Sequence, residues 1–328
     1  MRNMTKAALG LAAAGLMAAA PAHAAYQLGD SVSLGMKFFS DLTFSDNDAD
    51  TGFHLKRSYV TLKAKVDDRL KLRLTLDQRD EDQAGPKGGV FVKYAYVDME
   101  LDANTTARLG LLDTPYVGYD EDVMWGYRFV APTFTDQWGA QTSADLGASV
   151  MGAVRDGQVQ YHVSLLNGEG YGNKTNGDGF ALAGRVNVEL GDRVRVGGFF
   201  HEEKGRDGVA DYDPSREGLF ASYEDDLFRV SGQYLMADDN VAGQTFDTGR
   251  GYNVQGRLKL PKGDEAFAFG RYDRLDRKDT GNEESLFILG VSAKVGKALT
   301  LAPNIRRLDT NAAPGADNML ILNAQLDL

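Results

Sequence analysis

Asp113, Asp120, Glu121, Asp122 and Asp136 share one irregular stretch, residues 113 to 144, with a single guanidinium, Arg128. Elsewhere Arg73, Arg185, Arg195, Arg229, Arg257, Lys259 and Arg306 fall on the polar side of segments in which every second residue is apolar. An acidic stretch facing a basic wall across water would set up a transverse field, and charged rings of this kind tune which ions pass. The competing reading is that these cations pair with Asp77, Asp98, Glu189 or Asp273 on neighbouring segments and hold a wall together. Other chemistry is thinner. His162 and Ser164 lie two residues apart, hence on one face of a strand, but no strained nucleophile turn accompanies them. Asp46-Asn47-Asp48-Ala49-Asp50, Asp238-Asp239 and the stretch from Gly205 to Pro214 lack the closing Glu of a calcium loop and read as solvated tips. The chain has no Cys, which excludes disulfides, thiolate metal sites and covalent haem attachment. No catalytic residue, metal or cofactor is expected.

The elements that would carry these charges are strands. Leu70, Leu72, Leu74 and Leu76 alternate with Lys71, Arg73, Thr75 and Asp77, and a strand sends successive side chains to opposite faces. The alternation recurs near residues 31–40, 53–66, 69–80, 90–102, 105–112, 145–154, 158–167, 180–190, 193–203, 216–224, 227–236, 251–260, 265–275, 284–295, 298–308 and 318–328, sixteen blocks in all. Val159, Tyr161, Val163 and Leu165 oppose Gln158, Gln160, His162 and Ser164; Phe228, Val230, Tyr234 and Met236 oppose Arg229, Ser231 and Gln233. Segments 53–66, 90–102 and 265–275 separate their faces less cleanly. Tight connections fall at Asp67-Asp68, Arg155-Asp156-Gly157, Gly191-Asp192, Glu224-Asp225-Asp226, Lys262-Gly263-Asp264 and Gly296-Lys297. Longer ones lie between them, at 41–52, 81–89, 113–144, 168–179, 204–215, 237–250, 276–283 and 309–317.

At the start of the chain, Arg2 and Lys6, the apolar run from Ala7 to Ala20 and Ala22-His23-Ala24 read as a cleavable export signal, residues 1–24, followed by one domain, 25–328. That run is well short of the ~20 residues that cross hydrocarbon as a helix. Without Arg2 and Lys6, 34 basic residues face 47 acidic ones, a formal net charge of −13 that disfavours nucleic-acid binding. An exported chain of sixteen alternating blocks, with short and long connections in turn, implies an all-β fold: a transmembrane antiparallel β-barrel of about 16 strands in an outer membrane. Its third loop, with Tyr116, Tyr119, Trp125, Tyr127, Phe129, Phe134 and Trp138, is too aromatic for disorder and is expected to fold inward and narrow a water-filled bore. The expected function is passive diffusion of small hydrophilic solutes or ions with only mild ion preference, lipid being the outer partner. A barrel component of an outer-membrane electron-transfer complex and an outer-membrane barrel enzyme are the alternatives.

One junction carries a family likeness. The stretch RLGLLDTPY, Arg108 to Tyr116, resembles the Gly-Gln-Phe-Lys-Thr-Pro-Phe junction of the phosphate-selective porin O and P family, which leads into a constricting third loop. Gly110, Thr114 and Pro115 match; Leu111, Leu112 and Tyr116 replace Gln, Phe and Phe. SADLGASVMG from Ser143, YHVSLLNGEGY from Tyr161, LKRSYVTLKAKV from Leu55 and KYAYVDMEL from Lys93 are similar to the family's neighbouring strands. The resemblance implies a sixteen-stranded homotrimeric outer-membrane channel whose third loop sets the bore. The family's junction Lys is Asp113 here, so phosphate selectivity does not carry across.

Overall fold

The alternating blocks become strands in the computed structural model, which describes residues 26–46, 50–78, 89–172, 179–205, 213–238, 249–261, 265–277, 282–310 and 315–328. The expected export signal, the turn at Lys262-Gly263-Asp264, and most of the acidic tips at Asp46–Asp50, Asp238-Asp239 and Gly205–Pro214 lie outside the described residues.

A short strand, β1 (Tyr26–Gly29), precedes sixteen long ones: β2 (Val32–Ser45), β3 (Gly52–Lys65), β4 (Leu70–Gln78), β5 (Val90–Asp102), β6 (Thr105–Asp113), β7 (Ala144–Val154), β8 (Val159–Leu166) and β9 (Phe180–Leu190). The second half continues with β10 (Val194–Lys204), β11 (Ser215–Glu224), β12 (Phe228–Asp238), β13 (Gly249–Lys259), β14 (Ala266–Arg277), β15 (Asn282–Val295), β16 (Leu299–Asp309) and β17 (Asp317–Asp327). Each of the sixteen pairs antiparallel with the next. β17 returns to β2 with Met319 opposite Ser45 and Asp327 opposite Lys37, so the sheet closes. The amide and carbonyl of Leu328 extend that seam to Met36, at 2.8 and 2.9 Å. Beyond it β1 covers the start of β2, with Tyr26 opposite Leu34. Four residues are too few for alternation to register, which is why β1 was not legible in the sequence.

Every expected block lies on a strand, most with ends displaced by one or two residues and one by five. The first was expected to end at residue 40, but β2 runs on to Ser45, carrying Asp41 and Thr43 on its buried polar face. Among the described residues no helix is long and apolar enough to cross a membrane; crossing is by strands. The faces separate as lipid outside and water inside require. Leu109, Val163, Val230 and Leu289 are exposed, whereas Ser149, Ser164, Ser231, Gln233 and Asn253 on the opposite face are enclosed.

Two bulges explain the segments with mixed faces. Phe39 and Ser40 of β2 oppose Arg57 and Leu55 of β3, leaving Lys56 as an extra residue. Thr75 and Leu76 of β4 oppose Tyr94 and Val92 of β5, leaving Lys93 extra. A bulge re-aims a side chain, and here each adds a lysine to the enclosed face: Lys93 is only 2% exposed beside buried Tyr94. The third mixed segment, now β14, has no bulge. Its enclosed face carries Phe269 and Leu275 with Arg271 and Asp273, because aromatic residues of the β6–β7 connection pack on it.

The face assignment gives a direct test. Leu109, at mid-strand and 66% exposed, should tolerate charge poorly. Leu109→Arg is expected to destabilise the lipid-embedded barrel by ~2–4 kcal/mol in urea unfolding, and an unchanged midpoint would place that face against water.

Candidate functional site

The connection 114–143 is held at its neck and along its length. The Thr114 hydroxyl donates to the Thr142 carbonyl at 2.6 Å and the Thr114 amide to Ser143 at 3.2 Å. Past Pro115 the chain forms a turn of helix, α1 (Val117–Tyr119), continuing as π-helix over Asp120–Trp125, and later a second turn, α2 (Phe134–Gln137). Gly126 ends the first helical stretch with φ of 71°, its amide donating to the Glu121 carbonyl at 2.9 Å. A Cβ at Gly126 would lie 2.5 Å from Nη2 of Arg229, so glycine is needed there for both its backbone and its neighbour. Gly110, where the family likeness begins, is similarly constrained: φ is 129° and a Cβ would meet the Ala95 carbonyl at 2.3 Å.

Aromatic packing fixes one side of this connection. Tyr116 stacks on Phe199 at 3.8 Å and Tyr127 on Phe269 at 4.4 Å, within a buried cluster that includes Trp125, Phe134, Phe220 and Ile288. The polar ends of the rings find partners: Tyr116 donates to Gln233 at 2.8 Å, and Trp138 to Asp273 at 3.1 Å. Cations of the strands take the carbonyls. Lys56 donates to Phe129 and Val130, Arg185 to Pro115, Arg229 to Val123 and Trp125, Arg271 to Pro132 and Arg306 to Val130.

The other side of the connection lines a cavity of about 810 Å³ shared with β2–β9 and β17. Of the six expected loop charges, Asp113, Glu121, Asp122 and Arg128 line it. Asp113 accepts from Arg108, which also grips Asp98 at 2.6 and 2.9 Å. Glu121 accepts from Arg128 at 2.6 Å, and Arg128 reaches Asp136 at 3.0 Å. Burial alone would lower Arg128, but Glu121 and Asp136 hold it firmly charged. Asp122 is raised by burial and by Glu121 beside it. Asp120 lies apart from the cavity: fully enclosed, it accepts from the amides of Gln233 at 2.9 Å and Gln255 at 3.2 Å. Burial pushes it up to about 6 against the lowering effect of those amides.

The seven expected wall cations divide. Arg73 and Arg185 line the cavity, the first 4.6 Å above the Tyr94 ring with Nε donating to Thr75, the second 4.0 Å above the Tyr119 ring. Arg195, Arg229 and Arg257 gather around Glu224, away from the cavity. Arg306 holds the Val130 carbonyl, and Lys259 is exposed at the end of β13. The expected cross-strand pairing occurs for Arg195 and Glu189 at 3.0 Å, while Asp77, Asp98 and Asp273 take Arg57, Arg108 and Arg271 instead. Lys37, Lys63, Lys93 and Arg108 line the cavity and were not singled out from the sequence. Arg108 shares strand parity with Gly110 and was legible; Lys93 sits at a bulge and was not.

A family profile described as Gram-negative porin matches residues 8–313. No individually curated protein matches the chain. Among solved structures, OmpF of Salmonella typhi, in complex with daunomycin, is 12% identical with a TM-score of 0.70, covering 90% of this chain and 97% of that one. An anion-selective porin from Comamonas acidovorans is 17% identical with a TM-score of 0.67, covering 90% and 99%. The trimer form of in-vitro folded OmpT from Vibrio cholerae is 15% identical with a TM-score of 0.61, covering 90% and 98%. The sixteen long strands close into a barrel around a charged cavity, its fold is that of the solved porins, and the chain belongs to the Gram-negative porins, outer-membrane channels for passive diffusion.

Proposed function

We propose that the β6–β7 connection folds into the bore and forms its narrowest part, and that the resulting channel mildly prefers small anions. Asp113, Glu121, Asp122 and Arg128 stand on the loop side, Arg73 and Arg185 on the wall. Contacts of the loop with the enclosed faces of β10–β16 support its inward fold. One imbalance carries the ion preference. Asp113 and Glu121 each already accept from a guanidinium, whereas Arg73 and Arg185 rest on tyrosine rings and on hydroxyl, carbonyl and amide oxygens. Around the cavity Lys37, Lys63, Arg73, Lys93, Arg108, Arg128 and Arg185 outnumber Asp113, Glu121, Asp122 and Asp327. Excess fixed charge of one sign raises the local concentration of the other.

The finer likeness to phosphate-selective porins rests on Gly110, Thr114 and Pro115; with Asp113 held by Arg108, it brings no phosphate site to the junction. Export with removal of residues 1–24, and assembly as a homotrimer like the trimer form of the Vibrio cholerae neighbour, complete the proposal. A channel is favoured over a barrel enzyme. Ser164, 3.4 Å from His162, is only 1% exposed, which leaves no room for a substrate at its hydroxyl.

Reversal potentials under a KCl gradient test the ion preference. They should carry the sign of mild anion selectivity, and Arg73→Gln with Arg185→Gln should move them toward cations; cation selectivity in the unaltered chain, or no movement, would overturn the reading. Gly126→Ala tests the loop. It should displace Arg229 from the Val123 and Trp125 carbonyls and make single-channel current noisier, and an unchanged open-channel record would argue against a seated loop.

Asp120 gives a pH signature. Its folded value, about 6, lies above the ordinary 3.8, so the folded state binds its proton more tightly. The associated stability is present below about pH 4 and is lost as pH rises through about 6. The Gln255 side-chain oxygen is buried with no hydrogen-bond partner among the described residues, and an amide at position 120 would offer it a donor. Asp120→Asn is therefore expected to raise stability at pH 7 by ~1–3 kcal/mol and to flatten its change between pH 4 and pH 7. Loss of stability at pH 7 would contradict this account.

A further inference from the structure

Three guanidinia converge on one carboxylate at the short-turn end of the barrel. Arg195 of β10, Arg229 of β12 and Arg257 of β13 reach Glu224, the last residue of β11, at 3.5, 3.9 and 2.8 Å. Arg195 also meets Glu189 of β9 at 3.0 Å. Glu189, Arg195, Glu224 and Arg229 sit at strand ends that lead into the turns at 191–193 and 225–227, Arg257 lies two residues before the end of β13, and short turns face the periplasm in such barrels. All five lie on the enclosed face, where Arg195 is opposite both Glu189 and Ser222, and Arg229 is opposite both Glu224 and Arg257.

The cluster is short of acceptors. Three guanidinium charges face two carboxylates, and Lys259 follows Arg257 by two residues on the same strand face. Each guanidinium carries five N–H donors, while a carboxylate offers about four acceptor sites. The shortage is visible at Arg195, whose Nη1 is enclosed without a hydrogen bond and meets Glu224 only at 3.5 Å. The neighbouring turn does not relieve it, since Asp225 accepts from the amides of Leu227 and Phe228 and from the Tyr223 hydroxyl.

The cluster is also open to water on one side and fixed in place on the other, where Arg229 is 6% exposed. The side chains of Arg195, Glu224 and Arg257 are 23, 29 and 31% exposed. Arg229 is anchored by its bonds to Val123 and Trp125, and Arg257 lies 4.8 Å above the Phe267 ring. Preset guanidinium forks with water access suit a tetrahedral oxyanion, whose separate oxygens accept parallel N–H bonds from more than one fork, whereas chloride offers a single centre.

We infer that Arg195, Arg229 and Arg257, gathered around Glu224, form an oxyanion-binding station at the periplasmic mouth, separate from the cavity that Arg73 and Arg185 line. The station faces the lumen, so its ligands are dissolved anions such as sulfate or phosphate and not lipid headgroups. It depends on side chains at the strand ends and not on the charge balance of the proposed constriction, whose own test is the reversal potential.

Sulfate is the suitable probe because its charge is constant across the working pH range. Single channels in KCl would be oriented by Lys297→Cys, in the short turn between β15 and β16, modified with an impermeant maleimide; the chain has no other cysteine. Sulfate added on the periplasmic side should interrupt chloride current at a concentration about fivefold below that needed from the other side. Glu224→Gln removes the internal competitor and should strengthen the block about fivefold, the effect of one unit charge near 4 Å in water. Arg195→Gln with Arg257→Gln should abolish the sidedness. Equal sensitivity from the two sides, or a Glu224→Gln channel blocked no better than the unaltered one, would overturn the inference; the second measurement decides even if the double arginine variant fails to insert.

Discussion

In hydrocarbon no backbone N–H or C=O can turn to water, so every one must find a partner in the protein. The seam between β17 and β2 is where this chain meets that demand, because without it the sheet would present two open edges to lipid. Other features of the wall follow from the closed ring. The outward face must be apolar, the inward face can be polar, and even a bulge can only redirect a side chain from one face to the other. β1 belongs to the same accounting of partners: it pairs the part of β2 that the last strand leaves uncovered.

The same constraint governs the β6–β7 connection, which has little regular structure and many carbonyls. Its carbonyls at Pro115, Val123, Trp125, Phe129, Val130 and Pro132 are met by Lys56, Arg185, Arg229, Arg271 and Arg306. Hydrogen bonds from charged donors are worth about 1.5–3 kcal/mol each, and here they also satisfy the cations. Carbonyls without amides and cations with N–H donors to spare meet at one surface. Aromatic stacking of Tyr116 and Tyr127 on Phe199 and Phe269 adds an apolar contact between the same partners.

The barrel was legible because lipid imposes a period of two on any strand it touches, and that period survives in single residues such as Leu70 to Leu76. What alternation could not reveal were exceptions set by the tertiary fold. Lys56 and Lys93 join the enclosed face through bulges, and nothing in LKRSYV or KYAYV marks the extra residue. Phe269 and Leu275 look misplaced on a water-facing side until the loop that covers them is present. The candidate site was less legible than the fold. Parity assigned Arg229 and Arg306 to the correct face but not to their partners, which are carbonyls more than a hundred residues away in sequence.

A count of charges by face therefore overstates the field that a passing ion feels. Asp120 contributes none of the expected loop charge to the cavity, since it is enclosed beneath two amides, and Glu121 and Asp136 act on Arg128 before they act on solute. On the wall, Arg229 and Arg306 are held by carbonyls, whereas Arg73 and Arg185 remain beside the water. The proposed ion preference thus rests on the difference between two opposed sets of charges, and that difference shifts with each partner. Neutralising one member of a hydrogen-bonded pair, such as Asp113 beside Arg108, would alter that difference more than adding a charge to the exposed loops, where salt screens it within about 8 Å. Ion preference in such a channel can accordingly diverge between chains that share the barrel and most of its charged positions.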